Sequence, residues 1–225
     1  AQALAHSQAG DVDRFLALTT FMARRLISMG VDPQRVVVRP TATGDPGQPG
    51  DGGPGFVYIG RLTEEKGLNL LLDAWGASGL GHTRTLTIIG DGPLLMRCRQ
   101  AAAETPGIEA AGRLSPAEVA LRIRSAGALI SPSLWYEGFP RVVVEALSHG
   151  TPVLATRIGS LTEIVDADVG WTVEPTTEAL AAGLHAAAAE SGVRRQAART
   201  RYVERYRPDI TLAQLLGVYD EVAAS

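Results

Sequence analysis

Two glutamates, Glu137 and Glu145, bracket the run Gly-Phe-Pro-Arg-Val-Val-Val, in which five of seven residues are Phe, Pro or Val. Carboxylates accept hydrogen bonds and suit hydroxyl groups. Pro140 is placed to open a helix, which puts Glu137 in the loop before it and Glu145 inside it, near the second turn. At a rise of about 1.5 Å per residue the two carboxylates would stand roughly 7–10 Å apart. Both could face one crevice, with the first turn of the helix between them. That turn offers unpaired N–H groups and the positive end of the helix dipole, a setting for an anion. Hydroxyl, anion, hydroxyl is the order of groups in hexose, diphosphate and ribose, the parts of a nucleotide sugar. Taken alone, such a pair of glutamates is more often a solvated helix charge and a loop charge.

A second group adds to the first. In Gly60-Arg-Leu-Thr-Glu-Glu-Lys-Gly67, Arg61 and Lys66 lie five residues apart in a loop that follows an apolar run, Phe56–Ile59. Two cations there can neutralise a diphosphate, the guanidinium as a fork and the ammonium as a point charge. The competing reading is a solvated loop in which Arg61 pairs with Glu64 or Glu65.

The elements that must position these residues alternate regularly after residue 55. Apolar runs at 56–59, 85–89, 108–111, 128–131 and 152–156 have strand character. Between them lie helical patterns: Leu68, Leu71, Leu72 and Trp75 recur at helical spacing. Pro93 can open a helix, and Ser115 to Glu118 is a capping box with Pro at the first position. Gly150 can close the helix opened by Pro140, and Ser160 to Glu163 again has capping-box spacing. From about Thr177 the chain is helical and Ala-rich, interrupted at Pro208. Alternating strands and helices predict an α/β fold, a Rossmann-like parallel sheet with helices on both faces. Ligands in such folds sit beyond the carboxyl ends of the strands, where both charged groups fall.

Residues 43–55 break the pattern, nine of the thirteen being Gly or Pro. They read as a linker, or as one long surface loop inside a single domain. Residues 1–42 contain one strand–helix–strand pattern, too short to bury a core of its own. The expected organisation is therefore 1–42 as the end of a preceding domain, 43–55 as linker, and 56–225 as a ligand-binding domain.

Composition bounds the rest. Net charge is −3 with no basic block, which argues against nucleic acid as a main partner. One cysteine, Cys98, allows no internal disulfide. The first residues have neither a basic nor an apolar signal-peptide region, and no uncharged apolar run approaches a membrane span. His6, His82, His149 and His185 lack metal-ligand spacing, and His149 beside Gly150 suits a helix C-terminus. Asp11-Val-Asp13 and Asp166-Ala-Asp168 match a short metal-binding pattern that arises often by chance. No third glycine follows Gly90-Asp-Gly92, which argues against a nicotinamide site. No phosphate-binding P-loop pattern occurs. Trp135 and Tyr136 are read as core residues rather than walls of a sugar pocket.

The ordered set GRLTEEKGLNLLLDAW, IIGDGP, GRLSPAEV, PSLWYEGFPRVVVEALSHGTPVLAT and IGSLTEIV resembles the C-terminal domain of glycosyltransferase family four. Those are retaining enzymes of the GT-B fold, in which two Rossmann-like domains face each other across a cleft. The resemblance runs from about Val12 to the C-terminus. It implies that Arg61 and Lys66 bind the donor diphosphate and stabilise the leaving nucleoside diphosphate. Glu137 would hold donor-sugar hydroxyls, with the backbone N–H groups of Gly138 and Phe139 approaching sugar and phosphate. Glu145 would bind the ribose, Arg113 and Leu114 would cover the base, and Gly60, Gly90 and Gly92 would admit the nucleotide close to the backbone. No metal or other cofactor is implied. Gly159-Ser160 stands where the family often has two glycines, and Ser160 is expected to cap the following helix. The acceptor site, a Gly-rich loop and a histidine near the reacting sugar belong to the N-terminal domain of the family and cannot be placed here. The chain thus reads as the donor-binding half of a hexosyltransferase of polysaccharide or glycolipid assembly. Its partners would be a nucleotide sugar and, through the other domain, an acceptor glycan or glycolipid. It would work in the cytoplasm, at the inner membrane face or peripherally bound to it. The alternatives are a nucleotide-sugar-binding module without activity of its own and a sugar-nucleotide epimerase of related architecture. A phosphorylase would need a pyridoxal phosphate lysine that nothing in the chain suggests.

Overall fold

A computed structural model describes residues 12–224. A six-stranded parallel sheet is built from β3 (Phe56–Ile59), β4 (Leu86–Ile89), β5 (Ile108–Gly112), β6 (Ala128–Ser131), β7 (Val153–Thr156) and β8 (Gly170–Val173), in the order β5-β4-β3-β6-β7-β8. The first strand of this unit is central. The chain adds two strands to one side of it, then returns to add three on the other. The strands facing each other across that return are β3 and β6, and their carboxyl ends diverge to leave a crevice.

Both faces are covered, so the strands are mostly apolar, as in buried parallel sheets, with Thr87, Glu109, Ser131, Thr156 and Thr172 as the polar exceptions. Phe56, Tyr58, Leu86, Ile88 and Ile130 pack on one face against α2 (Leu68–Ser78), α3 (Leu95–Glu104) and the start of α7 (Thr177–Arg205). Val57, Ile89, Leu129, Val153 and Ala155 pack on the other. There they meet α4 (Pro116–Ser125), α5 (Arg141–Ser148), α6 (Leu161–Ile164) and the end of α7. The single helix α7 serves both cores, with Leu180, Leu184 and Ala187 in one and Ala198 and Tyr202 in the other. A final helix, α8 (Pro208–Ala223), follows the break at Pro208.

The capping box at Ser115 forms as expected, Ser115 Oγ accepting from Glu118 N and Glu118 accepting from Ser115 N. The box expected at Ser160 does not. Helix α6 has four residues and Ser160 makes no side-chain cap. Its hydroxyl instead lies 2.9 Å from Thr19 Oγ1 and 3.3 Å from the Gly138 carbonyl. Glu163, the other half of that box, reaches across to accept from the Thr20 and Phe21 N–H groups at 2.9 and 3.0 Å. It thereby caps α1 (Thr20–Ser28), the helix between β1 (Phe15–Ala17) and β2 (Val36–Val38), which form a separate parallel pair. A carboxylate is better used at that end than at α6, because α1 has no acidic residue in its first turn.

Residues 43–55 hold no helix or strand but are fixed to α7. Arg195 donates to the Gly50 carbonyl, Arg199 to Asp45 Oδ1 and the Gly47 carbonyl, and Tyr202 to the Thr43 carbonyl. His149, expected to favour the end of α5 by its charge, is buried there with Nδ1 unpartnered. Burial and the nearby Arg124, Arg199 and Arg195 lower its pKa, so the ring is neutral and offers the helix dipole no charge.

Candidate functional site

The crevice between β3 and β6 is a cavity of about 370 Å³. Its walls include Gly60, Arg61, Lys66, Ser133, Glu137, Phe139 and Arg141. One wall is the loop after β3. It is anchored by the Tyr58 hydroxyl donating to the Arg61 carbonyl at 2.8 Å, and by buried Leu62, whose N–H reaches the Asp91 carbonyl at 2.9 Å. Burial raises the Tyr58 pKa, so the anchor remains a neutral donor. The loop ends at Gly67, in the left-handed region (φ 71°), where the chain turns into α2. An added Cβ there would lie 1.7 Å from the Pro132 carbonyl oxygen. Only glycine lets the two walls approach that closely.

The other wall is the loop from Pro132 to Pro140. Ser133 stitches it to the first. The Ser133 hydroxyl lies 3.0 Å from Glu137 Oε1, 3.2 Å from the Trp135 carbonyl and 3.3 Å from the Glu65 carbonyl. The Leu134 N–H donates to Glu65 O at 2.9 Å, and Thr156 Oγ1 donates to Ser133 O at 2.5 Å. Across this seam Lys66 Nζ meets Glu137 Oε1 at 2.5 Å, both side chains largely buried at 27% and 17% exposure. The expected cation and the expected sugar-binding carboxylate therefore neutralise each other. Arg61 is the more open of the two loop cations, 72% exposed, and lies 3.6 Å from Glu65. The pairing of Arg61 with a loop glutamate and its place in the cavity wall coexist.

Of the residues singled out in the sequence, the cavity brings together Gly60, Arg61, Lys66, Glu137 and Phe139. Gly138 lies between Glu137 and Phe139, and nothing lies within 4 Å of where its Cβ would stand. Its neighbourhood is open to a ligand. Glu145 is one turn along α5 from Arg141 and half-buried, and its carboxylate has no hydrogen bond or ion pair among the described residues. Its pKa is raised by burial, an effect only partly offset by Arg141. Gly90 and Gly92 have a packing reason of their own. A Cβ would lie 1.9 Å from the Gly60 carbonyl in one case and 2.7 Å from the Leu62 carbonyl in the other. Arg113 and Leu114 sit beyond β5, outside the cavity wall. Arg113 is 83% exposed beside Asp91, and Leu114 packs on the second core.

Trp135 and Tyr136 are not core residues. They are 68% and 55% exposed, on the loop between β6 and α5. Tyr136 lies against Phe21 at 5.1 Å between ring centres, with the Arg25 guanidinium 5.5 Å from its ring. Asp166 and Asp168 both face Arg201, at 2.8 and 3.7 Å, in an ion-pair cluster. The other Asp-x-Asp pattern begins at Asp11, outside the described residues. Sequence reasoning missed Ser133 and Arg141. Ser133 carried no signal beyond following a strand. Arg141 did, as a cation at the first turn of a helix, where charge of that sign is disfavoured.

A family model described as "Glycosyl transferases group 1" matches residues 53–190. The phosphatidyl-myo-inositol mannosyltransferase of Mycobacterium leprae is 31% identical over 179 residues, covering 77% of this chain and 48% of that protein. The D-inositol 3-phosphate glycosyltransferase of Acidothermus cellulolyticus is 30% identical over 243 residues, covering 94% of this chain and 54% of its own length. The chain thus spans about half the length of the curated relatives it matches. Among solved structures, a glycosyltransferase of Rickettsia africae superposes with a TM-score of 0.83 at 20% identity, covering 99% of this chain and 66% of that one. Anabaena HepE, solved with UDP and glucose, superposes with a TM-score of 0.79 at 17% identity, covering 92% of this chain and 63% of that one. The sheet order, the crevice between β3 and β6 and these matches agree, and the chain belongs to the group 1 glycosyl transferases.

Proposed function

We propose that the protein transfers a hexose, with retention, from a nucleotide-diphospho-sugar to an acceptor hydroxyl in glycolipid or polysaccharide assembly. This chain supplies the donor-binding half. The observation that carries the reading is the meeting of Arg61, Lys66 and Glu137 in one cavity at the sheet's point of reversal, beside the first turn of α5. The diphosphate gains negative charge as the glycosidic bond breaks, and fixed cations there lower the barrier without reorganising. Lys66 would exchange Glu137 for phosphate oxygens. That exchange would free the Glu137 carboxylate to accept from sugar hydroxyls, so one pair serves both halves of the donor. The unpaired carboxylate of Glu145 is available to ribose hydroxyls. No step requires a metal.

The names of the relatives make GDP-mannose the first donor to test and an inositol-containing lipid the first acceptor. Among the described residues no helix is long and apolar enough to cross a membrane. Calorimetric titration with UDP, GDP and ADP, repeated for Glu145→Ala, identifies the base. Binding of one nucleotide, weakened by the substitution, is the expected result. Sugar transfer by the intact protein is expected to fall by about 10²–10³ in Lys66→Ala, the loss on removing one preorganised charge-stabilising group. Wild-type turnover in that variant would remove Lys66 from the mechanism. Donor turnover without any acceptor would favour an epimerase instead.

A further inference from the structure

Three cations line the cavity, Arg61, Lys66 and Arg141, against one carboxylate, Glu137. Two of them are already occupied. Lys66 is held by Glu137 and Arg61 faces Glu65. Arg141 has no carboxylate within 4.0 Å and donates no hydrogen bond to any described residue. It is exposed and is the first residue of α5, whose first turn contains no acidic side chain. A cation in that position opposes the helix dipole, so Arg141 makes its own helix less stable. Glu145, one turn along, acts on Arg141 only at a distance, and among the described residues no hydrogen bond or close ion pair holds the guanidinium. An anion placed between Arg141, Arg61 and Lys66 accounts for both the position and the missing partner.

Resting on the donor-site reading above, we propose that Arg141 is a third phosphate-binding cation of this cavity and sets its preference for a diphosphate over a monophosphate. Lys66 and Arg61 must each give up a carboxylate before they take a phosphate oxygen. Arg141 has no carboxylate within 4.0 Å to give up, only the more distant Glu145. It therefore meets the incoming diphosphate first and holds one phosphoryl group as a two-pronged fork. Lys66 and Arg61 then close on the other. A nucleoside monophosphate cannot span both groups, and it gains from Arg141 or from the loop cations but not from all three.

The test is titration of wild type, Arg141→Gln and Arg141→Lys with the nucleoside diphosphate that the protein prefers, its monophosphate and its nucleoside, together with thermal melts. Arg141→Gln is expected to weaken diphosphate binding by about tenfold or more, as loss of a charged hydrogen-bonding partner does. It should leave nucleoside binding unchanged and narrow the gap between diphosphate and monophosphate. Arg141→Lys is expected to recover part of the loss, through charge without the fork. Unliganded Arg141→Gln should melt no lower than wild type, because an unfavourable charge has left the helix end. Equal diphosphate affinity in wild type and Arg141→Gln, or a lowered melt with unchanged selectivity, overturns the role of Arg141 and leaves the donor site standing. Wild type that binds nucleoside and diphosphate equally, or neither, overturns the donor-site reading itself.

Discussion

Replacing Gly67 with alanine tests whether the two cavity walls are held together by backbone contact. The residue has φ 71°, and its missing Cβ lies 1.7 Å from the Pro132 carbonyl oxygen, where real Cβ contacts stay beyond 3.0 Å. The walls must therefore part by roughly 1.3 Å. The left-handed conformation itself costs an alanine about 1–2 kcal/mol, and the displaced seam adds to that. Lys66 is the adjacent residue, so the same movement draws its ammonium away from Glu137. A misplacement near 1 Å in a catalytic constellation costs on the order of 10² in rate. Gly76, in the interior of α2, is the internal control. Nothing lies within 4 Å of its Cβ position and its φ is not positive. Gly76→Ala is expected to stabilise the protein by about 1 kcal/mol through helix propensity. Denaturant unfolding and sugar transfer, measured on both variants, give the comparison. Gly67→Ala with wild-type stability and turnover would refute the account of the seam.

The raised pKa of Glu145 means that the fold favours its neutral form, so its contribution is present below the ordinary carboxylate value of 4.5 and is lost as pH rises through the folded value. Glu145→Gln should therefore be more stable than wild type at pH 7, with the gain vanishing near pH 4, in unfolding curves taken across that range. His149 has the opposite sense. Its pKa is lowered from 6.5, so the unfolded chain binds the proton first and stability falls as pH drops below 6.5. Unfolding curves of His149→Gln should lose that part of the acid limb while keeping the rest. Glu163→Ala removes the carboxylate that accepts from the Thr20 and Phe21 amides while leaving the Thr19 N-cap in place, and a loss of about 1 kcal/mol there corresponds to roughly fivefold faster amide exchange at Thr20 and Phe21. Unchanged exchange at those two amides would show that the cap carries no weight.

Five of the six sheet strands were legible as short, mostly apolar runs separated by helical patterns, whereas β8 (Gly170–Val173), which follows a helix of only four residues, and the order of the strands were not. Leu68, Leu71, Leu72 and Trp75 needed no tertiary context to declare α2. Arg61, Lys66 and Glu137 were legible as a group because each lies just beyond a recognisable strand. Their mutual pairing was not, since Lys66 and Glu137 are 71 residues apart and only the β3–β6 adjacency brings them together. Ser160 and Glu163 misled for a related reason. Capping-box spacing says which bonds are available locally, and here the distant Thr19 and the end of α1 competed for both side chains and won. Trp135 and Tyr136 misled because aromatic character signals burial only when an element lies above it.

The buried Thr19–Ser160 contact links the N-terminal strand–helix–strand unit to the loop that carries Glu137. When Ser160 donates to the Gly138 carbonyl, its oxygen is left to accept from Thr19, and the three groups form an oriented chain of dipoles. Tyr136, resting on Phe21 and Arg25, runs beside it. The junction is thus a fulcrum set next to the cavity between β3 and β6. A tilt of α1 by a few degrees would be large at the far end of that helix and small at Gly138. What happens at the remote end of the N-terminal unit would arrive at Gly138 geared down to a fraction of the original displacement.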